Sequence, residues 1–149
     1  MKQIQSNLPD VFDKSLTFEF DIFHFAKELG RVHALPHLGM HLIDSLPQRE
    51  HNFGQFNENK LLLFFNEIQK GYRQNVVYHN DLHGADVAQF MFLMLKEGKL
   101  DVIAELRHFD MVAMMISSFC HDFDHDGFNN AYHVNKMSPR ALRYHDEAV

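Results

Sequence analysis

Apolar residues along this chain recur at helical spacing over long segments, and strict strand-like alternation is scarce. Phe18, Ile22, Phe25, Ala26 and Leu29 predict a helix over 18–29, stopped by Gly30. A shorter helix is expected over 35–46, interrupted by Pro36 and closed by Pro47. Residues 58–72 follow, with Leu61, Leu62, Phe65 and Ile68 on one face, and 80–95 carries His83, Val87, Phe90, Met91 and Met94. Gly98 breaks the pattern before a long helix over 101–120, whose buried stripe is predicted as Leu106, Phe109, Val112, Ala113, Ile116 and Cys120. After a polar segment over 121–132, Pro139 permits a last turn over 141–144. The fold class is therefore all-α, a compact multi-helix bundle. Its Met and Phe stripes are read as core filling, and Cys120 as an inert buried thiol.

Composition narrows the function classes. The 149 residues, 46% apolar and 23% charged, suit one hydrophobic core and argue against disorder. No run of 18 apolar residues exists, so no membrane span is expected, and the first residues lack the apolar stretch of a signal peptide. One cysteine excludes an intrachain disulfide and points to a reducing, cytoplasmic setting. A net charge of −6 argues against a nucleic-acid partner held through phosphates. Twelve histidines do require an explanation. His24, His33, His37, His41, His51, His108 and His133 are read as ordinary hydrogen-bonded side chains, and Glu19/Asp21 and Asp146/Glu147 as solvated surface.

The chemistry concentrates in two places. His121-Asp122-Phe123-Asp124-His125-Asp126-Gly127 follows directly on an apolar helix, and so many ionisable groups beside a core need pairing or a metal. Upstream, Tyr78-His79-Asn80-Asp81-Leu82-His83 places two imidazoles on one helical face if the helix starts that early. Imidazoles with carboxylates suit a divalent transition metal, and a bridging carboxylate can hold a second, harder ion. An EF-hand reading matches Asp122, Asp124, Asp126 and Gly127 but fails at position 12, which is His133, and at position 8, the polar Asn129. A zincin-like reading of His121 and His125 has Asp122 where that motif has glutamate, and Gly127 comes too soon for a continuing helix.

Taken together, the two motifs resemble the class I 3′,5′-cyclic-nucleotide phosphodiesterases. Tyr78-His79-Asn80-x-x-His83 is followed by His121-Asp122-x-Asp124-His125-x-Gly127-x-x-Asn130-x-Tyr132 in the family's order and spacing. Phe18-Glu19-Phe20-Asp21-Ile22-Phe23 and Gly71-Tyr72 extend the likeness, so it runs from about residue 17 to residue 149. Gly84 stands where the family usually has alanine, which implies a looser helix start. The stretch 142–149 resembles the residues before the family's next motif, L-E-N-H-H. The likeness therefore implies the first half of a catalytic domain over 17–149, with 1–16 as an N-terminal extension.

By this resemblance, His83, His121 and Asp122 are ligands of a zinc ion, and Asp122 bridges to a second divalent cation, magnesium or manganese. The family's reaction is hydrolysis of cyclic AMP or cyclic GMP to the 5′-monophosphate by a metal-bridging hydroxide. His79 is then the general acid, His125 a histidine just outside the ligand shell, and Tyr78, Asn80 and Asn130 part of the substrate pocket. Asp124 matches a recurrent family position and could equally cap a turn. A half domain implies apolar surface facing its missing partner, hence homo-oligomerisation or association with the absent half. Two other readings stay open: a non-catalytic metal-binding or regulatory fragment, and a histidine–aspartate phosphohydrolase acting on non-cyclic nucleotides.

Overall fold

The computed structural model describes residues 8–47, 56–145 and 147, and His51 and Asp146 lie outside them. All regular structure among the described residues is helical, as the periodicity predicts. The elements are α1 (Pro9–Lys14), α2 (Ile22–Leu29), α3 (Arg31–Asp44), α4 (Glu58–Gly71), α5 (Asp81–Lys96), α6 (Leu100–Ile103), α7 (His108–Cys120), α8 (Asn130–Asn135) and α9 (Pro139–Arg143).

Caps explain most of the boundaries. The Asp21 carboxylate accepts from the Phe23 and His24 N–H groups at 2.8 and 3.1 Å, so α2 starts at Ile22 and not at Phe18. Asp21 is thus a helix cap and not merely solvated surface. Gly30, at φ 86°, separates α2 from α3. α3 runs straight through Pro36. The ring removes one backbone hydrogen bond, and complete burial of Ala34, Leu35, Leu38 and Leu42 offsets that loss. Asn129 and Ser138 cap α8 and α9 by accepting from Tyr132 N–H at 2.9 Å and Ala141 N–H at 3.2 Å. α8 was not predicted, because its six residues carry no apolar stripe.

The expected helix over 101–120 is two. Glu105 adopts φ 52° between them, and α7 restarts where Asp110 accepts from the Arg107 N–H at 3.0 Å. The predicted stripe of α7 is also rotated. Met111, Val112, Met115 and Phe119 are buried, whereas Phe109 is 62% exposed. α5 behaves alike, burying Leu82, Ala85, Ala88 and Phe92 while Phe90 and Met94 face outward. Both helices are apolar nearly all round, so periodicity alone does not choose the buried face.

α5 and α7 form the most extensive helix pair, with α3 packed on both α4 and α5. Phe65 from α4 meets Phe119 from α7 edge to face at 4.9 Å. Phe12 of α1 closes the core against Phe25 at 5.2 Å. His37 departs from the expectation for ordinary histidines: it is 7% exposed and neither ring nitrogen has a hydrogen-bond partner. His108 and His133 do have partners, Pro47 C=O at 3.2 Å and Ser138 Oγ at 3.1 Å. Half-burial raises the Cys120 thiol pKa, in keeping with an inert side chain.

Candidate metal centre

The two motifs meet where the start of α5 passes the end of α7. His83 lies in the first turn of α5, which begins because Asn80 Oδ1 accepts from Leu82 N–H at 3.0 Å and His83 N–H at 3.4 Å. His121 is the C-cap of α7, with Asp122 following it. The close approach of the two helix ends depends on Gly84. A Cβ there would lie 2.5 Å from the Tyr72 hydroxyl and 3.2 Å from the Phe119 carbonyl oxygen. That hydroxyl donates to the same carbonyl at 2.9 Å. The glycine in place of alanine therefore accommodates a buried hydrogen bond, and does more than loosen the helix start. Burial pushes the Tyr72 hydroxyl pKa up to about 12, so it remains a donor.

His83, His121 and Asp122 converge as one group of potential ligands. His83 Nε2 is 3.3 Å from His121 Nε2 and 3.4 Å from Asp122 Oδ2, and His121 Nε2 is 3.2 Å from the same oxygen. Tetrahedral ligands about 2.0–2.1 Å from a shared ion stand about 3.3–3.4 Å apart. The triangle already has that size, and its two-nitrogen, one-oxygen donor set suits zinc. Electrostatics agrees. His121 Nδ1 donates to the Ser118 carbonyl at 2.8 Å, which leaves the Nε2 lone pair for a ligand. Desolvation, followed by the neighbouring His121, lowers the His83 pKa and favours its neutral, ligating form. The C-terminal end of α7 adds a partial negative charge beside the site.

Of the other predicted site residues, Tyr78, His79 and His125 stand beside this triangle. His79 and His125 stack face to face, with centroids 4.0 Å apart and planes at 21°. The His79 ring stands 5.8 Å from that of His83 and perpendicular to it. Gly127 N–H donates to His125 Nδ1 at 2.9 Å, fixing that ring. Tyr78 is 64% exposed and lies 4.5 Å from the His83 ring. Asn80 caps α5, and its amide donates to the Val76 and Val77 carbonyls at 3.2 and 2.9 Å. It holds the site's backbone together. Asn130, the first residue of α8, is exposed.

Asp124 and Asp126 turn away from the triangle. Asp124 pairs with Arg73 at 2.7 Å, and Asp126 with His133 at 3.2 Å and Arg140 at 3.3 Å. They therefore do not converge with Asp122 as a calcium loop requires. Sequence spacing contains no signal for these arginine contacts, because the partners lie 51 and 14 positions away.

A helical fold with a histidine–aspartate triangle between two helix ends matches one family by sequence. The sequence model for 3′5′-cyclic nucleotide phosphodiesterase matches residues 78–149. The chain belongs to that family. It is 33% identical over 147 residues to the human rod cGMP-specific 3′,5′-cyclic phosphodiesterase subunit alpha, covering 93% of this chain. It is also 38% identical over 90 residues, 60% of this chain, to the 3′,5′-cyclic-nucleotide phosphodiesterase regA of Dictyostelium discoideum. The chain spans only 15% and 11% of the lengths of these two relatives. No helix among the described residues is long and apolar enough to cross a membrane.

Proposed function

We propose that this chain carries the metal-binding part of a cyclic-nucleotide phosphodiesterase site and takes part in hydrolysing cyclic AMP or cyclic GMP to the 5′-monophosphate. The observation that carries the reading is the His83–His121–Asp122 triangle, sized for a tetrahedral divalent ion. His83, His121 and Asp122 would hold a zinc ion, and Asp122 would also serve a second ion, magnesium or manganese. When bound, such ions supply Lewis acidity toward the phosphoryl oxygens and acidify water.

The chain's own residues do the rest. In the reaction a water oxygen gives up a proton and bonds to phosphorus, the P–O3′ bond breaks, and O3′ takes a proton. His79 is the donor of that proton, since its imidazole stands beside the triangle and its ring face is held by His125. His125 acts as a positioning residue, itself fixed by Gly127 N–H. Tyr78 flanks the same mouth and Asn80 fixes the helix start. Residues 17–149 form part of the catalytic domain, with 1–16 as an extension. The outward apolar side chains Phe90, Met94 and Phe109 support association with further protein, either another part of the domain or a second copy.

The deciding experiment measures cyclic AMP and cyclic GMP hydrolysis by the purified chain with zinc plus magnesium or manganese, counting bound metal in the same samples. Turnover and metal that both disappear in Asp122→Ala support the reading. Bound metal with no turnover restricts the chain to a metal-binding fragment. Absence of both overturns it.

A further inference from the structure

The segment after Asp122 carries His125 and takes the left-handed conformation twice, at Asp124 (φ 60°) and at Gly127 (φ 87°), where glycine adopts it freely. A non-glycine residue in the left-handed region persists only where its surroundings hold it. Two sides hold this one. Arg73, from before the first motif, donates through Nε to Asp124 Oδ1 at 2.7 Å. Arg140, from α9, places one terminal nitrogen 3.7 Å from Asp124 Oδ2 and the other 3.3 Å from Asp126 Oδ2.

Burial separates these contacts. The Asp124 side chain is 54% exposed, so its pairs are well screened and individually weak. Asp126 is 16% exposed and also contacts His133, which is 7% exposed. Its Oδ1 accepts from Phe128 N–H at 3.1 Å. His133 reaches in turn to Ser138 Oγ, the cap of α9. Arg140, Asp126, His133 and Ser138 thus form a closed circuit joining the 122–128 loop to α8 and α9. Of the three arginine contacts to this loop, the one between Arg140 and Asp126 is the most sheltered.

We propose that Arg140 is a positioning residue for the metal centre. Through Asp126 and Asp124 it clamps the loop so that Asp122 faces the two imidazoles and His125 stacks on His79. The inference rests on the metal-centre reading above and assigns the site a support outside both motifs. It involves no contact between Arg140 and a ligand.

The test uses the full 149-residue chain titrated with zinc, and with cobalt to read the visible d–d spectrum of the site. The variants are Arg140→Ala, Arg140→Lys, Asp126→Asn and Arg143→Ala, the last an exposed control on the same helix. Groups bonded directly to metal ligands are typically worth about 10–100-fold in affinity, and a clamp acting one contact further out is expected at the lower end of that range. Arg140→Ala and Asp126→Asn are expected to weaken zinc about 10-fold or more and to alter the cobalt band. Arg140→Lys should restore part of both, and Arg143→Ala should change neither. Melting curves identify any variant that fails to fold, in which case the Asp126→Asn and lysine arms decide. Wild-type affinity and spectrum in folded Arg140→Ala and Asp126→Asn would overturn the proposal. Asp122→Ala separates the two levels: if it also retains zinc, the metal-centre reading itself is lost.

Discussion

The Tyr72 hydroxyl donates to the Phe119 carbonyl at 2.9 Å across the face of Gly84. This one bond ties the end of α4 to the last turn of α7 at the place where α5 begins. Gly84→Ala gains about 1 kcal/mol of helix propensity but inserts a methyl 2.5 Å from the hydroxyl and 2.9 Å from Tyr72 Cζ. Overpacking of this kind costs about 1–3 kcal/mol. A net loss of about 1 kcal/mol is expected by urea denaturation. Tyr72→Phe alone should lose about 1 kcal/mol, and the double variant should fall short of the sum because both changes act on the same bond. A Gly84→Ala protein more stable than the parent would contradict the packing argument.

The triangle and the stacked pair should respond differently to mutation. Asp122 Oδ2 is common to two sides of the triangle, so Asp122→Ala is expected to abolish stoichiometric zinc binding. His79 is outside the ligand set, so His79→Asn should bind zinc within a few-fold of the parent. Where turnover is measurable, it should fall by about 10²–10⁴, the usual contribution of a general acid. Zinc lost as completely from His79→Asn as from Asp122→Ala would refute this division of roles.

The grouping of His83, His121 and Asp122 was legible through the family resemblance of two short motifs, whose residues the fold brings to two neighbouring helix ends. Spacing alone pairs His83 with His79; the grouping with His121 and Asp122 follows from the resemblance that the motifs carry, and the structure brings the His83 and His121 Nε2 atoms to 3.3 Å. Phe109 and Phe90 were illegible for the opposite reason. On a helix apolar all round, the buried face depends on which neighbour arrives, and that is a tertiary choice. The Asp124–Arg73 pair left no trace either, since ionic contacts between distant segments follow no period. His37 misled in its own way: a histidine inside an apolar helix reads as hydrogen-bonded, yet this one is sealed without a partner.

His37 makes the fold acid-sensitive. Desolvation, reinforced by His33, lowers its pKa from 6.5 to about 4. Between these values the unfolded chain binds a proton that the native protein does not, so stability falls as pH drops. The contribution is fully present above about pH 6.5 and is lost progressively down to about pH 4, on the order of 3 kcal/mol. His37→Leu removes both the titration and two unpartnered buried nitrogens. It should raise stability at pH 7 by about 1–2 kcal/mol and flatten the profile between pH 6.5 and 4.5. Chemical denaturation across that range is the measurement, and an equally steep profile in the variant would exclude His37 as the source.

Asp81 presents the reverse case, a buried charge that does have a partner. Its side chain is fully buried, and Arg31 donates to Oδ1 at 2.6 Å while Gln69 Nε2 stands 3.4 Å from Oδ2. Removing one member of a buried pair typically costs 3–5 kcal/mol, because the remaining charge is left uncompensated. The Arg31 side chain is 43% exposed, so water can partly replace it, and Arg31→Met should cost about 2–4 kcal/mol. Asp81→Asn in that background removes the stranded charge and should recover part of the loss. Asp81 opens α5 two residues before His83, so Arg31→Met should also weaken zinc binding, and the second substitution should recover it in step with stability. Stability within about 0.5 kcal/mol of the parent in Arg31→Met would mean that the pair does not anchor the start of α5.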